Sequence, residues 1–143
     1  MTAFVDTSAF FAIMDADDRM HAQARREWER LLEDGVSFRT TSYVLVETSA
    51  LLQNRIGLEG LRAFAADVMP VLDVIWVDEG MHLSAQHALL VASRRDLSLV
   101  DCASFEAMRR LQIENVFCFD SHFSQQGFQV LPKQAETETR ASR

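Results

Sequence analysis

Two short apolar runs constrain this chain most. TAFVD near the start and VFCFD near the end each stop at an aspartate, and each leads into helix-forming residues. Such a run reads as a buried strand. A third run, LDVIWVD, is rich in β-branched and aromatic residues and reads as another. Helical patterns fill the space between them. TSAFFAIM follows the first strand, and Asp15, Asp17 and Asp18 break it and offer caps for what comes next. From Arg19 to Asp34, Ala24, Trp28, Leu31 and Leu32 recur at helical spacing, and Gly35 closes that helix.

Val36 to Thr40 is a short strand candidate. Thr41 and Ser42 then offer N-caps for a helix through Ile56, which Gly57 ends. Leu58 to Met69 is a further helix with Pro70 at its exit. After LDVIWVD, Glu79 to Arg95 is helical, and Ser98 opens a helix to about Leu111. SHFSQQG is a short helical turn, and FQVL is a last strand. Strands alternating with one or two helices imply parallel pairing and a three-layer α/β/α sandwich with a central parallel sheet. Right-handed crossovers leave few topologies.

At 143 residues the chain is one domain by length and large enough to fold without a disulfide or metal staple. Apolar residues at 48% and charged residues at 24% exclude collagen-like, coiled-coil and wholly disordered readings. A net charge of −7, from 21 acids and 14 bases, excludes a plain nucleic-acid-coating module. A nucleic-acid partner stays open where metal ions or a local basic patch supply the positive field. Cys102 and Cys118 form no CxxC pair and read as buried free thiols of a reducing compartment. The opening lacks the basic segment of a signal peptide, and no run approaches membrane-spanning length. A cytoplasmic protein without a membrane partner is the expectation. The segment from Pro132 to Arg143 is polar, lacks a core pattern, and is expected to be a disordered or loosely attached tail.

In a parallel sheet, every strand's carboxyl end lies on one edge, where ligands bind at the topological switch point. Asp6 and Asp120 therefore arrive at the same edge. Each also has a plain structural role, because aspartate is a preferred N-cap. Asp101 fits a capping box with Ser98. Glu47 lies within VLVETSALL, either on the one wet stripe of its helix or buried with a compensating partner. Taken together, such carboxylates repel and raise one another's pKa. A divalent cation removes that penalty, and hard oxygen ligands select Mg²⁺ or Mn²⁺ over zinc. Ser8 and Ser121 could add hydroxyl ligands or hold the carboxylates, with helix capping as the simpler role.

The series FVDTSAF, YVLVETSALL, LSLVDCASFEAM and FCFDSHF resembles the PIN domain, specifically the short VapC-type toxin ribonucleases, from Thr2 to about Leu131. DADDRMHAQARREWERL resembles their loop and second helix. The resemblance implies a PIN-like domain over 1–131 and an acidic quartet at Asp6, Glu47, Asp101 and Asp120. It implies Mg²⁺- or Mn²⁺-dependent RNA cleavage, restraint by a cognate antitoxin, and a homodimer. Asp6 and Asp101 are then the main metal ligands. Asp120 and Glu47 complete the site directly, through water, or by holding a second ion. One departure follows the last acid, where this chain has Ser121 and then His122. His122 reads first as a surface or packing residue, and second as a contact to substrate phosphate. Arg19, Arg39, Arg94 and Arg95 are candidate phosphate binders, each with a solvated face or an ion pair as the simpler role.

Other chemistries lack their residues. There is no GxSxG or HExxH motif and no phosphate-binding glycine loop. Asp15–Asp18 fails as a calcium loop, because Met20 and Arg26 stand where glycine and glutamate are needed. His21, His82, His87 and His122 show no zinc spacing with the cysteines. Two rivals remain: a PIN-like nuclease of RNA processing without an antitoxin, and a non-catalytic α/β binding module whose acids only cap helices.

Overall fold

A computed structural model describes residues 1–134. Five parallel strands, β1 (Thr2–Val5), β2 (Ser37–Thr41), β3 (Leu72–Ile75), β4 (Asn115–Phe117) and β5 (Gln129–Leu131), form one sheet in the order β3-β2-β1-β4-β5. The helices are α1 (Thr7–Met14), α2 (His21–Glu33), α3 (Ser42–Asp67), α4 (Glu79–Ala92), α5 (Leu99–Arg110) and α6 (His122–Gln125). The chain steps outward from β1 to β3, then crosses to the other side of β1 for β4 and β5. Right-handed crossovers therefore put α1–α3 on one face and α4–α6 on the other. The packing agrees: α1 lies against α2 and α3, and α4 against α5. The α/β/α expectation holds.

The core is built on β1 and β4, the two central runs. Phe4, Val5, Val116 and Phe117 are fully buried, joined by Phe10 of α1, Phe64 of α3 and Phe123 of α6. A smaller cluster of Ala85, Cys102 and Ala103, with Tyr43, Leu89 and Leu99, ties α4 and α5 to the start of α3. Both cysteines are free and buried, as expected. Burial, with the nearby Asp6 charge, pushes the Cys118 thiol up to about 12, so it is inert as a nucleophile. No helix among the described residues is long and apolar enough to cross a membrane. Of the expected tail, residues 135–143 lie outside the described residues.

Several boundaries differ from the sequence reading for identifiable reasons. The third strand stops at Ile75 because its partner β2 turns into α3 after Thr41, and the Val77 N–H donates to the Ser42 hydroxyl instead (2.9 Å). Trp76 is left 72% exposed. The fourth strand stops at Phe117, and the Phe119 N–H donates to the Ser8 hydroxyl (3.0 Å). Asp15 and Asp18 cap turns rather than α2, accepting from the N–H groups of Asp17 and Met20 (2.9 and 2.8 Å). Thr41, not Ser42, caps α3, and α4 ends at Ala92 because Ser93 is left-handed (φ 53°).

The two helices expected either side of Gly57 form one kinked element, with Gly57 at φ 76°, ψ −173°. Only glycine populates that region without strain. A Cβ there meets open space, so the strain of a substitution is purely backbone. Gly57→Ala is expected to lower unfolding stability by about 1–3 kcal/mol. The check is a urea titration, and an unchanged midpoint would show that the kink relaxes at no cost.

Candidate metal centre

The sheet order reverses beside β1 and β4, and their carboxyl ends open the crevice where the acids meet. Asp6 is the first residue beyond β1. Its N–H still donates to the Phe117 carbonyl (3.1 Å), so the ladder delivers its side chain to the edge. Its carboxylate caps α1, accepting from the Ser8 N–H (3.2 Å) and the Ser8 hydroxyl (2.7 Å). Ser8 in turn accepts from the Phe119 N–H, so one hydroxyl clamps Asp6 to the chain that leads to Asp120.

Asp101 enters from α5. The capping box expected from Ser98-Leu-Val-Asp101 is present: Asp101 N–H donates to Ser98 Oγ (3.0 Å), and Ser98 N–H donates to Asp101 Oδ2 (3.2 Å). Asp120 sits three residues past β4 and accepts from the His122 N–H (2.7 Å). Ligand atoms of Asp101, Asp120 and His122 all lie within 4.8 Å of one another.

Capping accounts for the local bonds of Asp6 and Asp101, while Asp120, expected as an N-cap, only closes a turn because Ser121 holds the N-cap position of α6; neither role accounts for the convergence of the three. Asp6 is buried, and its carboxyl is pushed up to about 6. Desolvation is the main cause, the charges of Asp101 and Asp120 add to it, and the Ser8 bonds oppose it. Asp101 is raised as well, first by burial and then by Asp120, against the pull of Ser98 and His122. Three carboxylates from separate segments therefore share one field, and the fold tolerates the repulsion. An arrangement of this kind could hold a divalent cation.

The remaining candidates separate. Glu47 is on the wet stripe of α3, exposed, with no hydrogen bond or ion pair among the described residues. Its neighbour Thr48 donates to Thr7 Oγ1 (3.3 Å), which ties that turn of α3 to the start of α1. Ser8 holds a carboxylate, whereas Ser121 is exposed and its side chain caps nothing. Arg39 pairs with Asp73 (3.0 Å) and lines a cleft with Thr2 and Ser37 at the opposite edge of the sheet. Arg94 pairs with Asp96 (2.6 Å). Arg95 and Arg19 are exposed, and Arg19 lines a cavity of about 540 Å³ that also touches Asp120.

His122, read first as a surface or packing residue, is mostly buried. Its side chain is only 17% exposed and stands among Asp96, Asp101 and Asp120. Asp96 escaped the sequence reading altogether, since it lies in a loop on a different segment from His122.

The PIN domain sequence model matches residues 3–129. The chain belongs to the PIN domain family. It is 36% identical over 126 residues to the 23S rRNA-specific endonuclease VapC20 of two Mycobacterium tuberculosis strains, covering 87% of this chain and 94% of that protein. The crystal structure of M. tuberculosis VapC20, described as a sarcin-ricin loop cleaving toxin, superposes with a TM-score of 0.79 at 33% identity. That match covers 90% of this PIN chain and 96% of VapC20. VapBC2 from Rickettsia felis, bound to a promoter DNA fragment, shares the fold at a TM-score of 0.67 and 10% identity, with coverage of 91% and 97%. FitAcB from Neisseria gonorrhoeae does so at 0.64 and 13%, covering 91% and 96%.

Proposed function

We propose that this PIN protein is a Mg²⁺- or Mn²⁺-dependent endoribonuclease, the toxin of a type II toxin–antitoxin pair. The observation that carries the chemistry is the convergence of Asp6, Asp101 and Asp120 on one sheet edge, where burial first, and the other two charges after it, push the Asp6 carboxyl up to about 6. The 36% identity to a named rRNA endonuclease supports RNA as substrate, and makes large-subunit ribosomal RNA the first one to test. The partners are a cognate antitoxin and a second copy of the chain, the site of action is the cytoplasm, and residues 1–131 are the catalytic domain.

Asp6, Asp101 and Asp120 would hold the ion, and the exposed Glu47 on α3 would complete the site directly, through water, or by holding a second ion. An ion bound there would supply a water of lowered pKa and offset charge on the phosphate. Ser8 fixes the Asp6 carboxylate so that its geometry is set before substrate arrives. The N-terminus of α5 opens at the same edge and favours an anion there. Arg19 lines the cavity that touches Asp120, and there it would meet a flanking substrate phosphate. No side-chain nucleophile is required.

The test is cleavage of ribosomal RNA, then of a mixed cellular RNA pool, by antitoxin-free protein in Mn²⁺, Mg²⁺ or EDTA. Cleavage is expected with either ion, none with EDTA, and none with Asp101→Asn. Metal-independent cleavage, or an active Asp101→Asn protein, would overturn the reading. No cleavage together with no metal binding would favour the non-catalytic binding module.

A further inference from the structure

His122 is the one member of the cluster that the proposed chemistry leaves without a part. Its Nδ1 is shielded from solvent and has no hydrogen-bond partner among the described residues. It nevertheless lies 3.0 Å from Asp120 Oδ1 and 3.4 Å from Asp101 Oδ2. The other ring nitrogen, Nε2, faces Asp96 Oδ2 at 3.4 Å. Asp96 is itself gripped by Arg94, through Nε at 3.1 Å and an Nη at 2.6 Å. Arg94 also donates to Gln125 Oε1 (3.2 Å), which binds the same loop to the end of α6.

That order of groups has a chemical consequence. Carboxylates face both ring nitrogens, so a cation seated between Asp101 and Asp120 would take the place of any proton on Nδ1, while Asp96 would keep the N–H on Nε2. Metal-binding histidines nearly always give their second N–H to such a partner, and the partner fixes ring orientation and tautomer.

We propose that His122 is a nitrogen ligand, through Nδ1, of the divalent ion held by Asp101 and Asp120, with Asp96 and Arg94 fixing its ring. This rests on the metal-dependent reading above and extends it. One imidazole among carboxylates shifts the site toward Mn²⁺, because Mg²⁺ favours an all-oxygen shell and imidazole suits transition ions.

The experiment is Mn²⁺ titration of the intact protein by calorimetry, with pulsed EPR of the bound ion to detect nitrogen modulation. Wild type should bind Mn²⁺ and show histidine modulation. His122→Asn should lose the modulation and bind Mn²⁺ about 10–100-fold more weakly, with a smaller loss for Mg²⁺. Asp96→Asn should keep the modulation but bind several-fold more weakly. Bound Mn²⁺ without nitrogen modulation would overturn the proposal and leave the metal reading standing. Failure of wild type to bind Mn²⁺ or Mg²⁺ would overturn both. Should His122→Asn fail to fold, the wild-type spectrum decides alone, because no other histidine of the described residues joins the cluster.

Discussion

Replacing Asp6 with asparagine is expected to remove metal-dependent RNA cleavage while raising the stability of the metal-free protein. The loss follows from charge. Asparagine is a poor ligand for a hard cation, and several kcal/mol of transition-state stabilisation corresponds to about a thousandfold in rate. The gain follows from the same carboxyl. Its pKa rises from 3.8 unfolded to about 6 folded, so the native state binds the proton more tightly. Its contribution is therefore most favourable below the unfolded value and falls as pH rises through about 6. At neutral pH the ionised Asp6 costs the metal-free fold on the order of 2–3 kcal/mol. Asparagine removes the charge yet still accepts from the Ser8 N–H, so the α1 cap survives. Without metal, the melting temperature of Asp6→Asn should rise by roughly 3–8 °C at pH 7.5, and the difference should vanish near pH 4. Saturating Mn²⁺ should narrow the gap, because only wild type gains fully from binding. An active Asp6→Asn enzyme would reduce Asp6 to a cap. An unchanged melting temperature would show that its burial is relieved in solution.

The architecture was readable because its signals are local and redundant. Apolar runs of strand length, each ending in an acid, place Asp6 and Asp120 on one edge once the strands are parallel, and the capping box places Asp101 at a helix start. The strand ends were not readable to the residue. Whether the ladder continues past Phe117 depends on Ser8, 111 positions away, taking the Phe119 N–H. Glu47 looked like its companions by local composition, yet exposure is set by how α3 rolls against α1, which no local pattern encodes. Asp96 was missed, and the acidic surroundings of His122 were not legible, for the same reason. The two residues meet where the loop before α5 comes against the start of α6, and each alone resembles an ordinary polar surface residue. Ser121 shows the reverse error: its place beside an acid suggested support, but the helix it opens has only four residues and needs no side-chain cap.

Phe123→Ala is expected to cost about 3–5 kcal/mol of unfolding stability and, beyond that, to weaken Mn²⁺ binding in the molecules that stay folded. Phe123 has no exposed surface. Its ring packs edge-on against Phe105 (5.1 Å between centroids) and beside Phe4 and Phe128 (both 6.3 Å). Phe4 lies two residues before Asp6, and Phe105 lies one turn after Asp101. One ring therefore joins the three segments that carry the acids. The helix it belongs to, α6, spans only His122–Gln125 and is far too short to hold its shape alone. Its position, and with it the aim of Asp120 and His122, is set by burying Phe123. A loss of this size is a large share of the 5–15 kcal/mol typical of a domain, so the variant should remain folded but marginal. Urea midpoints measure the first effect, and Mn²⁺ titration in the absence of denaturant measures the second. Phe123→Leu keeps an apolar anchor and should retain most of both. Were Phe123→Ala to lose stability while binding Mn²⁺ as tightly as wild type, the acids would owe their alignment to the capping bonds of Ser8 and Ser98, not to the aromatic core beneath them.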